Sequence, residues 1–335
     1  MESVNVSGPA GPAAGNAGFA FDADLACLAV VTVSYNPDLE LLGRQLDQLP
    51  AGALKLVVDN ASRSELRSTI RRTVEERGAS LLQNLENRGL PAALNQGVHY
   101  AQNVRPACRL VLLLDQDTEP GSKGVERLVA SYAPAAALSD KPCCIGPRLV
   151  DVETGLDHGF HQIRGWRWSR SFPPPGSSRP VPLANLNGSG TLIPVALFNE
   201  LGGLEEDFFI DHVDTEWAFR VLAAGYGLYG IPGVTFGHRM GERSLRFWWM
   251  GWRLWPYRSP LRSGYLFRNA MWLMKRGYVP TAWKWWAVVK LVLTVVVHLL
   301  FDSQRVPQVA AMCRGAWSGL RTSAGSSEGE CRERR

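Results

Sequence analysis

LVLLLDQDTEP, residues 110 to 120, runs five apolar residues straight into two carboxylates separated by one residue. A short apolar run without alternation reads as a strand buried on both faces, so Asp115 and Asp117 stand at its carboxyl tip. Two like charges this close disfavour each other's ionisation, and something positive should sit there. On an extended chain positions i and i+2 point the same way, which lets both carboxylates approach one ion. Hard oxygen ligands suit Mg²⁺ or Mn²⁺, whose shell is usually completed by water and substrate phosphate. Paired acids capping a loop are the ordinary alternative, so the rest of the chain must decide.

Three further runs upstream look like buried strands: CLAVVTVSY (27 to 35), LKLVVD (54 to 59) and ASLLQ (79 to 83). Helical patterns fit between them at 37 to 49, opening on Pro37, at 64 to 77 after a Ser cap, and at 90 to 102 after Gly89. Alternation of this kind predicts a mostly parallel sheet covered by helices. Polar clusters follow the strands: Ser34, Tyr35 and Asn36; Asp59, Asn60 and Ser62; Asp115 and Asp117. Each alone reads as a turn or cap. In open α/β sheets, however, ligands bind outside the carboxyl ends of the strands, so the clusters should converge on one site.

Farther along, residues 151 to 183 carry Trp166, Trp168 and FPPPG (172 to 176) and are expected to form an irregular surface excursion. Order returns at LNGSGTLIPVALFNELGG (186 to 203), an apolar strand leading into a short helix. FFIDHVDTEWAFR (208 to 220) then sets Asp211, Asp214 and Glu216 at the start of a helix. First-turn acids complement the helix dipole, but three within six residues exceed that need, and one of them can serve as general base. GYGLYG (225 to 230) has dinucleotide-binding spacing in the wrong context, because it follows a helix and leads into a strand. His238, after that strand, reads by itself as a structural hydrogen-bonder.

The chain of 335 residues is 46% hydrophobic and carries a formal charge of +5, unevenly placed. Between Arg239 and Trp317 stand thirteen Lys or Arg against Glu242 and Asp302, with nine of the twelve tryptophans. Within this span WWAVVKLVLTVVVHLLF (285 to 301) is apolar but short for a membrane span and contains Lys290. Its Trp and basic flanks favour a helix lying at the headgroup level, ahead of core packing or spanning. Tryptophans clustered with an apolar run do not suggest a nucleic-acid partner. Six cysteines without C-x-x-C spacing are expected to be reduced. Near Met1 there is neither a basic stretch nor an apolar run of signal length, so a cytoplasmic location, free or at the inner face of the plasma membrane, is expected. Expected units are a tail at 1–24, a catalytic α/β domain at 25–243, a basic Trp-rich helical region at 244–317 and a second tail at 318–335.

Taken in order, VVTVSYN (30 to 36), VVDNAS (57 to 62), NRGLPAALNQGV (87 to 98), DQDT (115 to 118), NGSGTLIP (187 to 194), FFIDHVDTEWAFRVLAAGY (208 to 226) and HRMG (238 to 241) resemble family 2 glycosyltransferases of the GT-A fold. The resemblance implies a Rossmann-like mixed sheet flanked by helices and an inverting transfer from a nucleotide sugar. The DQD form with DxVDTEW resembles in particular the dTDP-rhamnosyltransferases of bacterial O-antigen and cell-wall polysaccharide synthesis, whose acceptors are lipid-linked saccharides. By the same resemblance Tyr35, Asn36 and Asp59 would hold base and ribose, and Asn87, Gly89 and Asn95 would line the nucleotide pocket. Asp115 and Asp117, with His238, would hold Mg²⁺ or Mn²⁺, and Asp214 would be the base, with Asp211 as the alternative. A UDP- or GDP-sugar donor, or a non-catalytic nucleotide-sugar-binding protein at the membrane, are the competing readings. A nucleotidyltransferase would need a Gly-rich basic loop that SYNPDLE (34 to 40) lacks.

Overall fold

In a computed structural model, which describes residues 25–174, 176–239, 243–248 and 252–325, the run at 110 to 115 is central to a nine-stranded mixed sheet. The first half supplies β1 (Leu28–Ser34), α1 (Leu39–Gln48), β2 (Leu54–Asp59), α2 (Ser64–Glu75), β3 (Ser80–Gln83), α3 (Leu90–Val104) and β4 (Leu110–Asp115). After these come β5 (Thr118–Glu119), α4 (Gly124–Ala130), α5 (Tyr132–Ala136), β6 (Cys143–Asp151), β7 (Phe160–Arg164), β8 (Arg167–Ser171) and β9 (Val181–Pro182). The remainder is β10 (Thr191–Pro194), α6 (Val195–Glu200), α7 (Val213–Ala223), β11 (Gly227–His238), β12 (Arg243–Trp248), β13 (Trp252–Tyr257), α8 (Pro260–Lys275), α9 (Thr281–Phe301) and α10 (Arg305–Arg321).

The strand order is β3-β2-β1-β4-β10-β6-β11-β5, with β9 beside β11. β1 runs parallel to both β2 and β4, in a register that pairs Ser34 with Asp59 and Val33 with Asp115. The polar clusters at the three strand ends therefore stand level. β10 is antiparallel to β4, and β6 is parallel to β11. Side chains alternate across the sheet: Leu28 and Val30 meet α1, α2 and α4 on one face, whereas Ala29 and Val31 meet α3, α6 and α7 on the other. Trp272 and Trp283 extend that second core into α8 and α9.

The structure departs from the sequence expectations in several places. β3 is only half-buried along its length because it is the sheet edge. α1 is capped by Asp38, whose Oδ1 accepts from the N–H groups of Glu40 and Leu41, and α2 has no side-chain cap because Ser62 is turned inward toward Asp59. The stretch from 151 to 183 is more regular than expected: β7 and β8 pair as a hairpin, with His161 stacked on Trp168 at 5.1 Å. α10 continues to Arg321, into the stretch expected as a tail, because Lys275 Nζ donates to the carbonyls of Leu320 and Thr322 at its end. The tail at 1–24, residues 326–335, and Met240 and Gly241 of the HRMG motif lie outside the described residues.

Candidate active site

At the tip of β4, Asp115 and Asp117 meet His238 at the end of β11, with one ligand atom of each lying within 4.8 Å of the others. Antiparallel pairing of β11 with β5 brings His238 opposite Thr118, so its position follows from the sheet register. His238 Nδ1 lies 3.2 Å from Thr118 Oγ1 and 3.5 Å from Asp117 Oδ1. Burial pushes the Asp115 carboxyl up to about 6, reinforced by the negative neighbours Asp117 and Asp214 and opposed by His238. Burial also raises Asp117, again opposed by His238. A cluster of hard oxygen donors and one imidazole nitrogen, short of positive charge, fits a divalent cation.

Three polar side chains that the sequence did not single out build this tip. Gln45, fully buried on α1, donates from Nε2 to the carbonyls of Asp115 at 2.6 Å and Thr118 at 2.8 Å. Ser189 Oγ accepts the Asp115 N–H at 3.0 Å and also bonds Thr118 Oγ1. Gln116 Oε1 accepts the N–H of Tyr35 at 2.8 Å, tying the acidic tip to the end of β1. All three contacts join residues far apart in sequence, which a local motif does not reveal.

Asp59 ends β2 fully buried. Its Oδ1 accepts from Ser62 N and Ser62 Oγ, and from Ser34 Oγ at 3.5 Å, whereas Oδ2 has no partner. An unpartnered buried carboxylate oxygen is costly unless a ligand donor reaches it. Asn36 Oδ1 accepts the Arg63 N–H, and the Tyr35 side chain is exposed beside it. Asn60 Nδ2 donates to Asn87 Oδ1 at 3.0 Å and to the Gly89 carbonyl at 3.1 Å. Gly89 has φ +83°, and a Cβ there would come within 2.8 Å of Phe209, backbone included. Only glycine permits that approach.

Asn95, expected near the nucleotide pocket, is tied to the 204–206 segment. Its side chain is buried between α3 and the 204–206 segment, donating to the Leu204 carbonyl and to Glu206 Oε1, and accepting from Leu204 N. The family motif places Asn95 on α3, but its amide faces inward and its contacts fit a structural brace.

Asp214 lies at the start of α7, where its Oδ1 accepts the Thr215 N–H at 2.8 Å. Gly188 on the loop leading into β10 also donates to its carboxylate, and burial raises its pKa. Asp211 behaves differently. Arg262 Nη2 donates to its Oδ1 at 3.0 Å, Arg262 Nε to Oδ2 at 3.3 Å, and Arg258 Nε to Oδ1 at 3.2 Å. These guanidiniums overcome the burial that would raise its pKa and hold the carboxyl below its ordinary value. A carboxylate committed to two arginines is a poor proton acceptor. The backbone leading into α7 is unusual, with φ of 60° at Phe209, 61° at Asp211 and 63° at His212, conformations that cost about 1–3 kcal/mol each for residues other than glycine.

Glu216 takes no part in the cleft. Fully buried, it accepts from Arg220 at 2.8 and 2.9 Å, Arg276 at 3.1 Å and Tyr278 at 2.7 Å, joining α7 to the end of α8.

Residues 46–187 match the model of Glycosyl transferase family 2. Over 251 residues the chain is 26% identical to the dTDP-rhamnosyl transferase RfbF of Shigella flexneri, covering 75% of this chain and 80% of that protein. Among solved structures it resembles GalNAc-T7 crystallised with UDP, GalNAc and Mn²⁺, at a TM-score of 0.55 and 15% identity. That match covers 94% of this chain, which spans 59% of the other. The architecture is of the GT-A type: a mixed sheet flanked by helices, followed by a helical C-terminal region.

Proposed function

We propose that the chain, of which residues 46–187 match Glycosyl transferase family 2, is a glycosyltransferase of that family that transfers L-rhamnose from dTDP-rhamnose to a lipid-linked saccharide, with inversion, in the synthesis of a cell-surface polysaccharide such as an O-antigen. The observation that carries the reading is the meeting of Asp115, Asp117 and His238 at the strand ends, with half-buried Asp214 hydrogen-bonded by the Gly188 backbone. The donor is proposed from the similarity to a dTDP-rhamnosyl transferase over most of both chains.

Asp59 supports the nucleotide side. Its unpartnered Oδ2 offers an acceptor to the imide N–H of a thymine or uracil ring, with Tyr35 and Asn36 beside it. Asn60 orients Asn87 and the Gly89 carbonyl next to that position. Asp115 and Asp117, with His238, would hold Mg²⁺ or Mn²⁺. When bound, such an ion neutralises the charge that develops on the departing diphosphate. Asp214 accepts the proton of the attacking acceptor hydroxyl, and its raised pKa suits it to that task near neutral pH. Attack from the face opposite the diphosphate inverts the anomeric centre and requires no covalent intermediate.

A membrane surface is the proposed setting, at the cytoplasmic face of the plasma membrane. Among the described residues α9 is the one helix long and apolar enough to cross a bilayer, and 22% of its most apolar window is buried. One face packs on the fold through Trp283, Leu291 and Val297. The other exposes Trp285, Trp286, Val292, Leu293, Val296 and Leu300. Lys284, Lys290, Arg305, Arg314 and Arg321 lie along α9 and α10, while Asp302 is buried against His298 at 2.6 Å. An apolar face with basic flanks suits the interface of an anionic bilayer.

Thermal shift with Mg²⁺ or Mn²⁺ across dTDP-rhamnose, UDP-glucose, UDP-galactose and GDP-mannose tests the donor. Stabilisation by dTDP-rhamnose alone is expected. Stabilisation by a UDP- or GDP-sugar alone would replace the donor and leave the family unchanged.

A further inference from the structure

α8 reaches back from the C-terminal region and grips the loop that delivers Asp214. Asn269 on this helix is fully buried. Its Nδ2 donates to the carbonyls of Phe208 at 2.8 Å, Ile210 at 2.8 Å and Asp211 at 2.9 Å, and its Oδ1 accepts from Arg268 Nε at 3.0 Å. A primary amide is well suited to this place, because it supplies two uncharged donors and an acceptor from one short side chain. Arg262, in the first turn of α8, and Arg258 just before it close on the Asp211 carboxylate at 3.0 to 3.3 Å. Tyr265 stacks on Phe209 with ring centroids 4.9 Å apart and planes 18° from parallel. The gripped segment is the one with left-handed φ at Phe209, Asp211 and His212, a conformation that non-glycine residues leave when nothing holds them.

We propose that Asn269, with Arg258 and Arg262, is a positioning residue for glycosyl transfer: it fixes where the Asp214 carboxylate stands relative to the acidic tip of β4. The inference rests on the reading of Asp214 as base. Asn269 hydrogen-bonds the loop, whereas α8 is anchored in the cores by Leu266, Phe267, Ala270, Trp272 and Leu273. Removing the amide therefore leaves the helix its apolar anchorage. A displacement of about 1 Å in a reacting group can cost about 10²-fold in rate.

The test uses the full chain with Mn²⁺, its best sugar-nucleotide donor and its acceptor, comparing wild type with Asn269→Ala and Asn269→Asp. Amide hydrogen exchange over residues 206–216, kcat, donor KM and donor Kd are measured together. Both variants should speed exchange in that segment and lower kcat at least about 30-fold, with donor Kd within about threefold of wild type because the Asn269 amide bonds the carbonyls of Phe208, Ile210 and Asp211 rather than Asp59, Asp115 or Asp117. Arg262→Ala, which alters a partly exposed side chain, should show the same split if the Asn269 variants fail to fold, and Arg262→Lys should recover part of the loss. An unchanged kcat in a folded variant overturns the proposal, as does a fall in kcat matched by an equal loss of donor affinity. Asp214→Asn is run in parallel. If it still turns over like wild type, the base assignment fails, and the exchange data still report on the grip itself.

Discussion

Asp214 and Asp211 stand three residues apart, yet their surroundings shift their carboxyls in opposite directions. Burial raises Asp214, whereas two guanidiniums overcome burial and lower Asp211. Asp214→Asn is therefore expected to cut kcat by about 10²–10⁴-fold with donor affinity retained, measurable by steady-state kinetics beside calorimetry. Gly89 makes a second prediction at this scale. With φ +83° and Phe209 in the way of any Cβ, Gly89→Ala should destabilise the fold by more than about 1 kcal/mol in urea unfolding. Local sequence marked the acids at the strand end and the helix start, and the family resemblance marked this glycine. Arg258, Arg262 and Asn269 had none, since they lie 47 to 61 residues from the groups they hold. A motif fixes which residue stands on a helix and not which way its amide faces, and the Asn95 amide turns toward Leu204 and Glu206.

At the scale of elements, continuous apolar runs were sufficient to find β1, β2 and β4, since each is covered on both faces and its composition says so. The β7–β8 hairpin escaped because FHQIR and RWSRS are polar and half exposed. Its order comes from contacts that no local pattern encodes, such as the Trp286 Nε1–H donated to the Trp166 carbonyl at 3.0 Å. That bond joins the hairpin turn to the start of α9. Replacing Leu293 and Val296 with Glu should abolish sedimentation with vesicles containing anionic lipid while leaving the melting temperature unchanged, because both side chains point away from the core. Undiminished vesicle binding would remove α9 from the membrane interface.

Across the whole molecule, buried ionisable groups make stability depend on pH. Burial, with Arg170 and Lys290 nearby, lowers His161 to about 4, and burial, with Lys290 nearby, lowers His212 to about 4, both from 6.5. Between pH 4 and 6.5 the unfolded chain binds these protons and the folded chain does not, so stability rises with pH through that window. The contribution is complete above 6.5 and lost on acidification toward 4, on the order of 1–3 kcal/mol for each histidine. Asp115, raised to about 6, acts with the opposite sign between 3.8 and 6. Urea unfolding of His161→Gln at pH 7 and pH 5 should accordingly show a smaller loss on acidification than wild type. The same excess of buried carboxylate at the strand ends underlies the central claim, that Asp115, Asp117 and His238 hold a divalent cation against the donor diphosphate. Sugar transfer by exhaustively chelated protein, before and after Mn²⁺ is restored, tests it most directly. The account predicts no turnover after chelation, with recovery in wild type and none in Asp117→Ala; full turnover by the chelated wild-type protein would contradict it.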